Sequence, residues 1–303
     1  MRKVPKKDWV NVAIYIDNLS NALQLSGHLR EAVAAACRAL EIARARGDQY
    51  HEGISLQWVG VALAACGAAS PAAVSLCRAL HIWVEQKDKQ GEGLVNAFLA
   101  QRFLWLSQPG EALPLAQHAW ELAHVRRGER DFICAARLHG EAALGLGDLT
   151  TASERLHHAL TRARTVNYVE EELPALTALA ELHRRQQRYD TARELLDQVW
   201  APAERGPYPL MHADALNVLA QLDRDQGRRE AAVAAATEAY KQAWCDGPPY
   251  AYHLGLTNAR RHLQELGAPE PQMPPFDASK YAPMPEIELD PEDEFHVGKI
   301  AEA

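Results

Sequence analysis

Residues 56–80 read LQWVGVALAACGAASPAAVSLCRAL, and this pattern of side chains recurs every forty residues. In this stretch the pair Val59-Gly60 is followed by Gly67, then by Ala72, and then by Ala79-Leu80. One alanine column runs through six units: Ala32, Ala72, Ala112, Ala152, Ala192 and Ala232. A fixed period of this length, without insertion or deletion, is typical of stacked helical repeats.

The columns predict two antiparallel helices in each unit, and the chain is expected to be all-α. Small residues on both sides of a short turn let two helix axes approach closely. The turn column suits the left-handed conformation that ends a helix. Its members are Gly27, Gly67, Ser107, Gly147, Gln187, Gly227 and Gly267. The second helices are predicted to be capped at Ser70, Gly110, Thr150 and Asp190, with Pro71 in the first helical position.

These columns resemble the tetratricopeptide repeat (TPR) family, which shows a Leu-small pair, a turn glycine and two small residues seven apart. The resemblance covers residues 9–267, although the period is forty rather than the family's thirty-four. It implies a right-handed superhelical solenoid of six forty-residue helix pairs plus a C-terminal capping helix at about 252–266. It also implies that the first helices line a concave surface.

The chain divides into a basic leader (1–8), the TPR-like array (9–267) and a tail (268–303). In the seventh unit we expect Arg260, Arg261 and His262 to face solvent as a cap. Pro202 is expected to end its helix near Trp200. The segment that follows is either a local stop or a functional hinge or ligand-contacting ledge.

The tail is rich in proline and acidic residues, and it carries −7 of the chain's net charge of −8. Proline and charge disfavour a helix over most of it. Spaced apolar residues nevertheless interrupt it, namely Met273, Phe276, Tyr281, Met284, Ile287 and Leu289. An extended strap along the last helices and a disordered tail are therefore both open.

A narrower resemblance covers the junction CDGPPYAYH at 245–253 and LGAPEP at 266–271. It is similar to the C-terminal ends of repeat arrays appended to bacterial STAND-type signalling NTPases (the NACHT/NB-ARC-like class). This resemblance implies that the array is a sensor that holds or releases an NTPase.

Catalytic, cofactor and metal motifs are absent from the sequence. It contains no GxxxxGK[ST] phosphate loop, no HExxH and no CxxC. We therefore expect no cofactor, no metal site and no enzymatic activity. The acidic run at 170–172 is interpreted as complementing a helix dipole.

Amino-acid composition and net charge limit the classes of partner and the cellular compartment that we expect. A net charge of −8 argues against nucleic acid, and no apolar run is long enough to span a membrane. Five cysteines leave one unpaired and fit a reducing compartment, so a cytoplasmic location is expected.

The concave surface is the remaining candidate site, and the resemblance to the TPR family implies that the first-helix slots around each Leu-small pair supply its side chains. These slots hold Asn18, Asn21, Gln57, Trp58, Phe98, Gln101, Arg137, Glu141, Glu181, Asn217 and Gln221. An apolar centre at Trp58 and Phe98, flanked by amides and a few charges, suits a peptide or protein segment with apolar anchors. The two aromatic residues either bind such a ligand or merely fill the inner side of the superhelix.

The sequence thus predicts a non-enzymatic, protein- or peptide-binding repeat module. The narrower hypothesis is a sensor or scaffold array of a bacterial signalling NTPase system, with the NTPase in cis or in trans. The alternative is a stand-alone peptide receptor or assembly scaffold unrelated to NTPases.

Overall fold

The computed structural model describes residues 8–126, 128–206, 208–285 and 288–289. These residues form thirteen α-helices and one short 3₁₀ turn, and they contain no strand, which confirms the all-α prediction. The helices are α1 (Asp8–Leu25), α2 (Leu29–Arg44), α3 (Gln49–Ala65), α4 (Ala69–Gln86), α5 (Lys89–Trp105), α6 (Pro109–Arg126), α7 (Glu129–Leu146), α8 (Leu149–Thr165), α9 (Val169–Arg185), α10 (Tyr189–Arg205), α11 (Pro209–Asp225), α12 (Arg229–Trp244) and α13 (His253–Glu265). Most of the predicted leader, residues 1–7, lies outside the described residues.

The helix starts follow the forty-residue period closely. Odd-numbered helices from α3 to α11 begin at 49, 89, 129, 169 and 209, and even-numbered helices begin at 29, 69, 109, 149, 189 and 229. The cap α13 begins at 253 rather than 249, because the segment Gly247-Pro248-Pro249 lies in the turn before it. Each pair therefore stacks on the previous one in the same way.

The predicted turn column is left-handed at all seven positions. Its φ angles run from +58° at Ser107 to +84° at Gly147, and Gln187 adopts +60° without being glycine. A second left-handed column, which we did not predict, lies between successive pairs at Gly47, Lys87, Asn167 and Gly247. Non-glycine residues accept this conformation at a modest strain. Pair geometry is thus set at two turns in each unit.

Small residues set the distance between the two helices of a pair. All six members of the alanine column are 0% exposed. A Cβ added to Gly60 would lie 2.5 Å from Cγ of Leu76 on the facing helix, and at Gly140 the corresponding distance to Leu156 is 2.7 Å. No larger side chain fits at these points without moving a helix.

The predicted cap column is wrong by two residues. The N-cap residues of α4, α8 and α10 are Ala68, Asp148 and Arg188, which places Ser70, Thr150 and Asp190 inside the first turn. Among the three, Asp148 makes a side-chain cap by accepting a hydrogen bond from the backbone N–H of Thr151. The turn takes two residues fewer than the prediction assumed, because the cap residue directly follows the left-handed residue.

The expected helix stop at Pro202 is also wrong, since α10 continues to Arg205. A proline loses its own N–H and crowds the preceding turn, which costs about 3 kcal/mol in a helix interior. Prolines also lie inside two other helices, Pro114 in α6 and Pro174 in α9.

The two ends of the array meet. A Cβ added to Gly27, at the end of α1, would lie 2.8 Å from Cγ of Pro209 at the start of α11. At Gly67, after α3, it would lie 2.4 Å from Cγ of His253 at the start of α13. The superhelix therefore closes on itself, and we call this contact the seam.

A carboxylate from one end of the array caps a helix at the other end. The N-cap residue of α2, His28, makes no side-chain cap. Instead, Oδ2 of Asp246 accepts a hydrogen bond from the backbone N–H of Arg30 at 2.8 Å. The first N–H groups of a helix lack partners within the helix and favour negative charge. Asp246 thus stabilises α2 and fastens the seam at once.

Part of the tail lies against the array across the seam. The Tyr281 hydroxyl donates to Oδ1 of Asp246 at 3.0 Å, and Nη2 of Arg30 donates to the carbonyl of Ala282 at 2.6 Å. The Trp244 indole donates to the carbonyl of Pro274 at 2.9 Å. We propose that these contacts hold the tail as a strap in solution. Residues 286–287 and 290–303, which include the anchor Ile287, lie outside the described residues.

The capping helix faces solvent only in part. Arg260 and Arg261 are exposed, as expected, and Nε of Arg260 donates to Glu270 at 3.0 Å. His262 is buried, so the prediction for it was wrong. It lies on the side of α13 that packs against α11, near Gln221. Burial lowers the pKa of His262 to about 4, which keeps the ring neutral.

The alanine column yields a test of the helix register. Ala232→Leu should overpack the contact between α11 and α12 and cost about 1–3 kcal/mol. The neighbouring Ala231 is exposed and serves as a matched control. Thermal melts of both variants check this, and equal melting temperatures would contradict the register.

The seam yields a second prediction. Asp246→Ala should cost about 0.5–2 kcal/mol, because α2 loses its cap. Amide hydrogen exchange should also speed up in the first turn of α2. Asp197 is exposed on α10 and provides the control Asp197→Ala. If both variants exchange at the same rate in α2, Asp246 does not hold the seam.

Candidate functional site

The concave side of the array encloses a cavity of about 560 Å³. Its walls come from the odd-numbered helices α1 to α13, the first helices of the pairs together with the cap. Closure at the seam supplies the far wall, because Leu210, Tyr252 and Leu254 line the cavity opposite α3 and α5. The cavity volume lies within the range typical of ligand pockets.

One wall of the cavity is aromatic. The rings of Trp58 and Phe98, on neighbouring repeats, have centroids 5.8 Å apart. The rings of Trp105 and Tyr252 meet edge to face at 6.0 Å across the seam. Trp58, Phe98 and Trp105 are each only partly buried, so their faces are available to a molecule in the cavity.

A buried arginine organises another part of the cavity wall. Nε of Arg137 donates to Glu171 at 2.5 Å, Nη1 donates to Glu141 at 2.7 Å, and Nη2 donates to Gln101 at 3.1 Å. Burial alone would lower the pKa of Arg137, but Glu171 and Glu141 hold it well above its usual value. Burial raises the pKa of Glu141. The guanidinium stays charged and links helices α5, α7 and α9, which belong to three successive repeats.

A second ion-pair network lies further along the same wall. Oε1 of Glu181 accepts from Nε of Arg185 at 2.6 Å and from Nη2 of Arg184 at 3.0 Å. Nη1 of Arg185 donates to the carbonyl of Leu144 at 2.7 Å. Burial would raise the pKa of Glu181, but the hydrogen bonds and charge of the two arginines bring it below its usual value. Glu181 is therefore ionised and held in place.

A third polar group spans α11 and α13. The hydroxyl of Tyr252 donates to Oδ2 of Asp214 at 2.9 Å. Burial raises the pKa of Asp214 to about 7, since the nearby Arg137 and the Tyr252 hydrogen bond only partly compensate for desolvation. Asp214 therefore gains or loses its proton near neutral pH.

Acidic side chains outnumber basic ones around the cavity. Six carboxyl groups line it, those of Asp131, Glu141, Glu170, Glu171, Glu181 and Asp214. Three guanidinium groups do so, those of Arg130, Arg137 and Arg185. With every group ionised the lining carries a formal charge of −3, so the interior favours a neutral or cationic ligand over an anionic one.

Eight of the eleven predicted site residues line this cavity. They are Asn21, Gln57, Trp58, Phe98, Gln101, Arg137, Glu141 and Glu181. Their role in binding remains a prediction. The other three lie elsewhere: Asn18 is exposed on α1, while Asn217 and Gln221 face α13. Asn217 donates to the carbonyl of Gly255 at 3.0 Å, because the capping helix covers this part of the groove.

Several residues that line the cavity were not predicted from the sequence. Glu170 and Glu171 were assigned to the helix dipole, yet Glu171 pairs with Arg137 across two repeats. Asp214 and Tyr252 come together because α13 packs against α11. The forty-residue register gave one usable signal, since Glu170 and Glu171 lie one period after Arg130 and Asp131, which also line the cavity.

The described residues contain neither a metal-binding cluster nor a membrane-spanning helix. No group of three or more His, Cys, Asp or Glu side chains there could hold a metal ion. No helix in this part of the chain is long and apolar enough to cross a membrane.

Comparison with known proteins places the fold. The tetratricopeptide repeat family matches residues 175–205. A Rap protein complexed with competence and sporulation factor is similar in structure, with a TM-score of 0.61 and 14% identity, over 84% of this chain and 74% of that one. Aspartyl phosphate phosphatase F from Bacillus subtilis gives a TM-score of 0.54 and 11% identity, over 84% and 70%. No curated protein matches the sequence. These likenesses confirm a TPR-like helical solenoid.

The buried carboxyl group of Asp214 yields a prediction of pH dependence. Its pKa is about 7 in the folded chain, against about 3.9 when unfolded. Ionisation therefore favours the unfolded state, and stability is lost as pH rises from about 4 to about 7. Asp214→Asn keeps an acceptor for Tyr252 and removes this loss.

Melts at pH 5 and pH 8 test the prediction. The melting temperature of Asp214→Asn relative to the unmutated chain should be higher at pH 8 than at pH 5. Asp197→Asn, at an exposed site, should show no such dependence. A pH-independent difference for Asp214→Asn would show that this carboxyl group does not titrate in the folded state as described.

Proposed function

We propose that this chain is a non-enzymatic binding module that takes a peptide or an extended protein segment into the cavity of its closed array. The observation that carries the proposal is the cavity itself. Its aromatic wall at Trp58 and Phe98 lies beside side-chain amides whose N–H groups have no hydrogen-bond partner among the described residues. Aromatic anchors and amide groups together suit a ligand that has apolar side chains and a polar backbone.

The amides are pre-oriented for such a ligand. Oε1 of Gln57 accepts from the Trp83 indole at 3.0 Å, which fixes the amide plane. Oε1 of Gln101 accepts from Arg137. The Nε2 atoms of both residues donate to no group among the described residues, and both side chains line the cavity. Each amide can thus donate to a carbonyl of a bound peptide without reorganising.

The chemistry of the cavity supports binding rather than catalysis. Its arginines are engaged with carboxylates, an amide, a carbonyl or an aromatic ring. Cys134 also lines the cavity, but burial first, and then the charge of Glu171, raise the pKa of its thiol well above the usual value. A thiol that stays protonated is a poor nucleophile.

The likeness in fold to a Rap protein complexed with competence and sporulation factor supports a ligand-binding role. The sensor-array hypothesis, with a signalling NTPase in cis or in trans, rests on the sequence resemblance at 245–271 alone. No contact among the described residues favours it over a stand-alone peptide receptor, so the peptide receptor is the function we propose.

A peptide selection tests this function. Random peptides displayed on phage and selected on the unmutated chain should converge on sequences with aromatic or aliphatic residues. The selected peptides should bind Trp58→Ala/Phe98→Ala at least tenfold more weakly, because losing anchor contacts of about 1.4 kcal/mol or more reduces affinity by that factor. Isothermal titration calorimetry measures the change.

The control is Val84→Ala/Val125→Ala, which shortens two exposed apolar side chains outside the cavity. It should bind like the unmutated chain, and circular dichroism melts should show all three proteins folded. If no peptide is enriched, or if the cavity variant binds normally, the aromatic residues only fill space and the proposed function fails.

A further inference from the structure

One part of the cavity lining combines aromatic rings with carboxyl groups. It consists of Asp214 of α11, Glu141 of α7, Tyr252 and Trp105, and we call it the acidic corner. The Tyr252 hydroxyl donates to Oδ2 of Asp214, and the Tyr252 ring meets Trp105 edge to face. Burial is the main cause of the raised pKa of Asp214, and the charge of Glu141 raises it further. The two carboxyl groups therefore lie within electrostatic range of each other.

The acidic corner carries more negative charge than its arginine balances. Arg137 is within electrostatic range of Asp214, but its guanidinium pairs with Glu141 and Glu171. One guanidinium therefore serves three carboxyl groups. No residue in the described part of the chain forms an ion pair with Asp214, and Tyr252 is its hydrogen-bond donor. A carboxylate held away from water without a counter-ion is unfavourable, and a cation that binds beside it relieves that cost.

The helices that pack against α11 bring no unpaired cation to this corner. Helix α9 brings Glu181 and Arg185 to the cavity, and these two pair with each other. Among the residues that the structure describes, α10 and α12 contribute nothing to the cavity lining, and α13 contributes a leucine. The charged or titratable groups that face Asp214 are therefore Tyr252, Glu141 and Arg137.

Buried amide groups without partners mark the same cavity as a ligand site. Gln24 is 9% exposed and Gln57 is 5% exposed, and both line the cavity. The Gln24 amide forms no hydrogen bond with any described residue, and Nε2 of Gln57 donates to none. Buried polar groups are rarely left without a partner, because this costs free energy. The cavity thus offers amides for the polar backbone of a ligand and, separately, carboxylates for a charge.

We propose that the acidic corner binds a positively charged side chain of the ligand, the ammonium group of lysine or the guanidinium group of arginine. This inference rests on the proposed function, since it assigns one residue type to the peptide. The cation pairs with the carboxylates of Asp214 and Glu141, and it gains a cation–π contact from Trp105. An acidic or phosphorylated side chain is repelled there.

Two small probes test the corner without a peptide. 2-Phenylethylamine carries an aromatic ring and an ammonium group, while 2-phenylethanol has the same ring and no charge. At pH 8 the amine should bind the unmutated chain at least about tenfold more tightly than the alcohol, as expected for one charge-assisted contact. Asp214→Asn should lose most of this preference. Isothermal titration calorimetry and saturation-transfer NMR measure the affinities.

Asp131→Asn is the matched control. Asp131 also lines the cavity, and burial raises its pKa as well. It lies ten residues before Glu141 on α7, a distance of ~15 Å along the helix. This variant should therefore keep most of the preference for the amine. Equal losses in Asp131→Asn and Asp214→Asn would overturn the proposal, because the charge would then act on the cavity as a whole.

The pH dependence of binding gives a second readout. The pKa of Asp214 is raised by burial to about 7, whereas an alkylammonium group like that of lysine stays charged up to about pH 10. A bound cation favours the ionised carboxylate, so the affinity for 2-phenylethylamine should rise at least about tenfold from pH 5 to pH 8. Asp214→Asn should lose most of this rise. An affinity of the unmutated chain that is independent of pH would overturn the proposal.

Peptides selected on the unmutated chain distinguish a basic side chain from the amino terminus as the source of the charge. Replacing their lysine or arginine by norleucine should weaken binding at least about tenfold. Acetylating their amino terminus should leave binding unchanged. The reverse result, or selected peptides without a basic residue, would overturn the proposal.

Failure of this inference and failure of the proposed function give different results. If peptides are selected but the amine and the alcohol bind equally well, the peptide receptor stands and the cation site is overturned. If no peptide is selected but the amine is preferred and Asp214→Asn abolishes the preference, the cation site stands and the peptide-binding function fails.

Discussion

The rest of the structure depends on the close approach of the two ends of the array at Gly27 and Gly67. These glycines do two things at once. Each ends a helix in the left-handed conformation, and each lies so close to the far end of the array that a Cβ would collide with Pro209 or His253. A TPR-like superhelix left open would present a broad concave surface. Closed at the seam, it surrounds a cavity of about 560 Å³ with walls from both ends.

The buried charged groups that line the cavity make the fold less stable than an apolar interior would. Arg137 is buried with two glutamates, and a buried ion pair of this kind seldom adds net stability compared with an apolar core. Asp214 carries a raised pKa, so its ionised form opposes folding near neutral pH. Filling the same space with leucine and alanine, as the helix interfaces do, would cost less. The polar lining thus supports the ligand-binding function that we propose.

Much of the fold could be predicted from the sequence, because the forty-residue period repeats the same helix pair six times. Turn residues and helix order follow from the register, and eight of the proposed cavity residues follow from the register together with the TPR resemblance. Contacts between the ends of the array could not be predicted this way. The capping of α2 by Asp246 depends on how far the superhelix turns. The pairing of Tyr252 with Asp214 and the burial of His262 depend on how α13 packs against α11. Helix α10 shows a different limit, since it continues past Pro202, where the local rule for proline predicts a stop.

Small-angle X-ray scattering tests the central claim, which is that the array closes at the seam. Profiles extrapolated to zero concentration remove any contribution from dimers. The account predicts a compact particle whose scattering curve matches the closed array with its cavity. A larger radius of gyration and an extended distance distribution would show an open superhelix in solution. That result would contradict both the cavity and the seam that forms it.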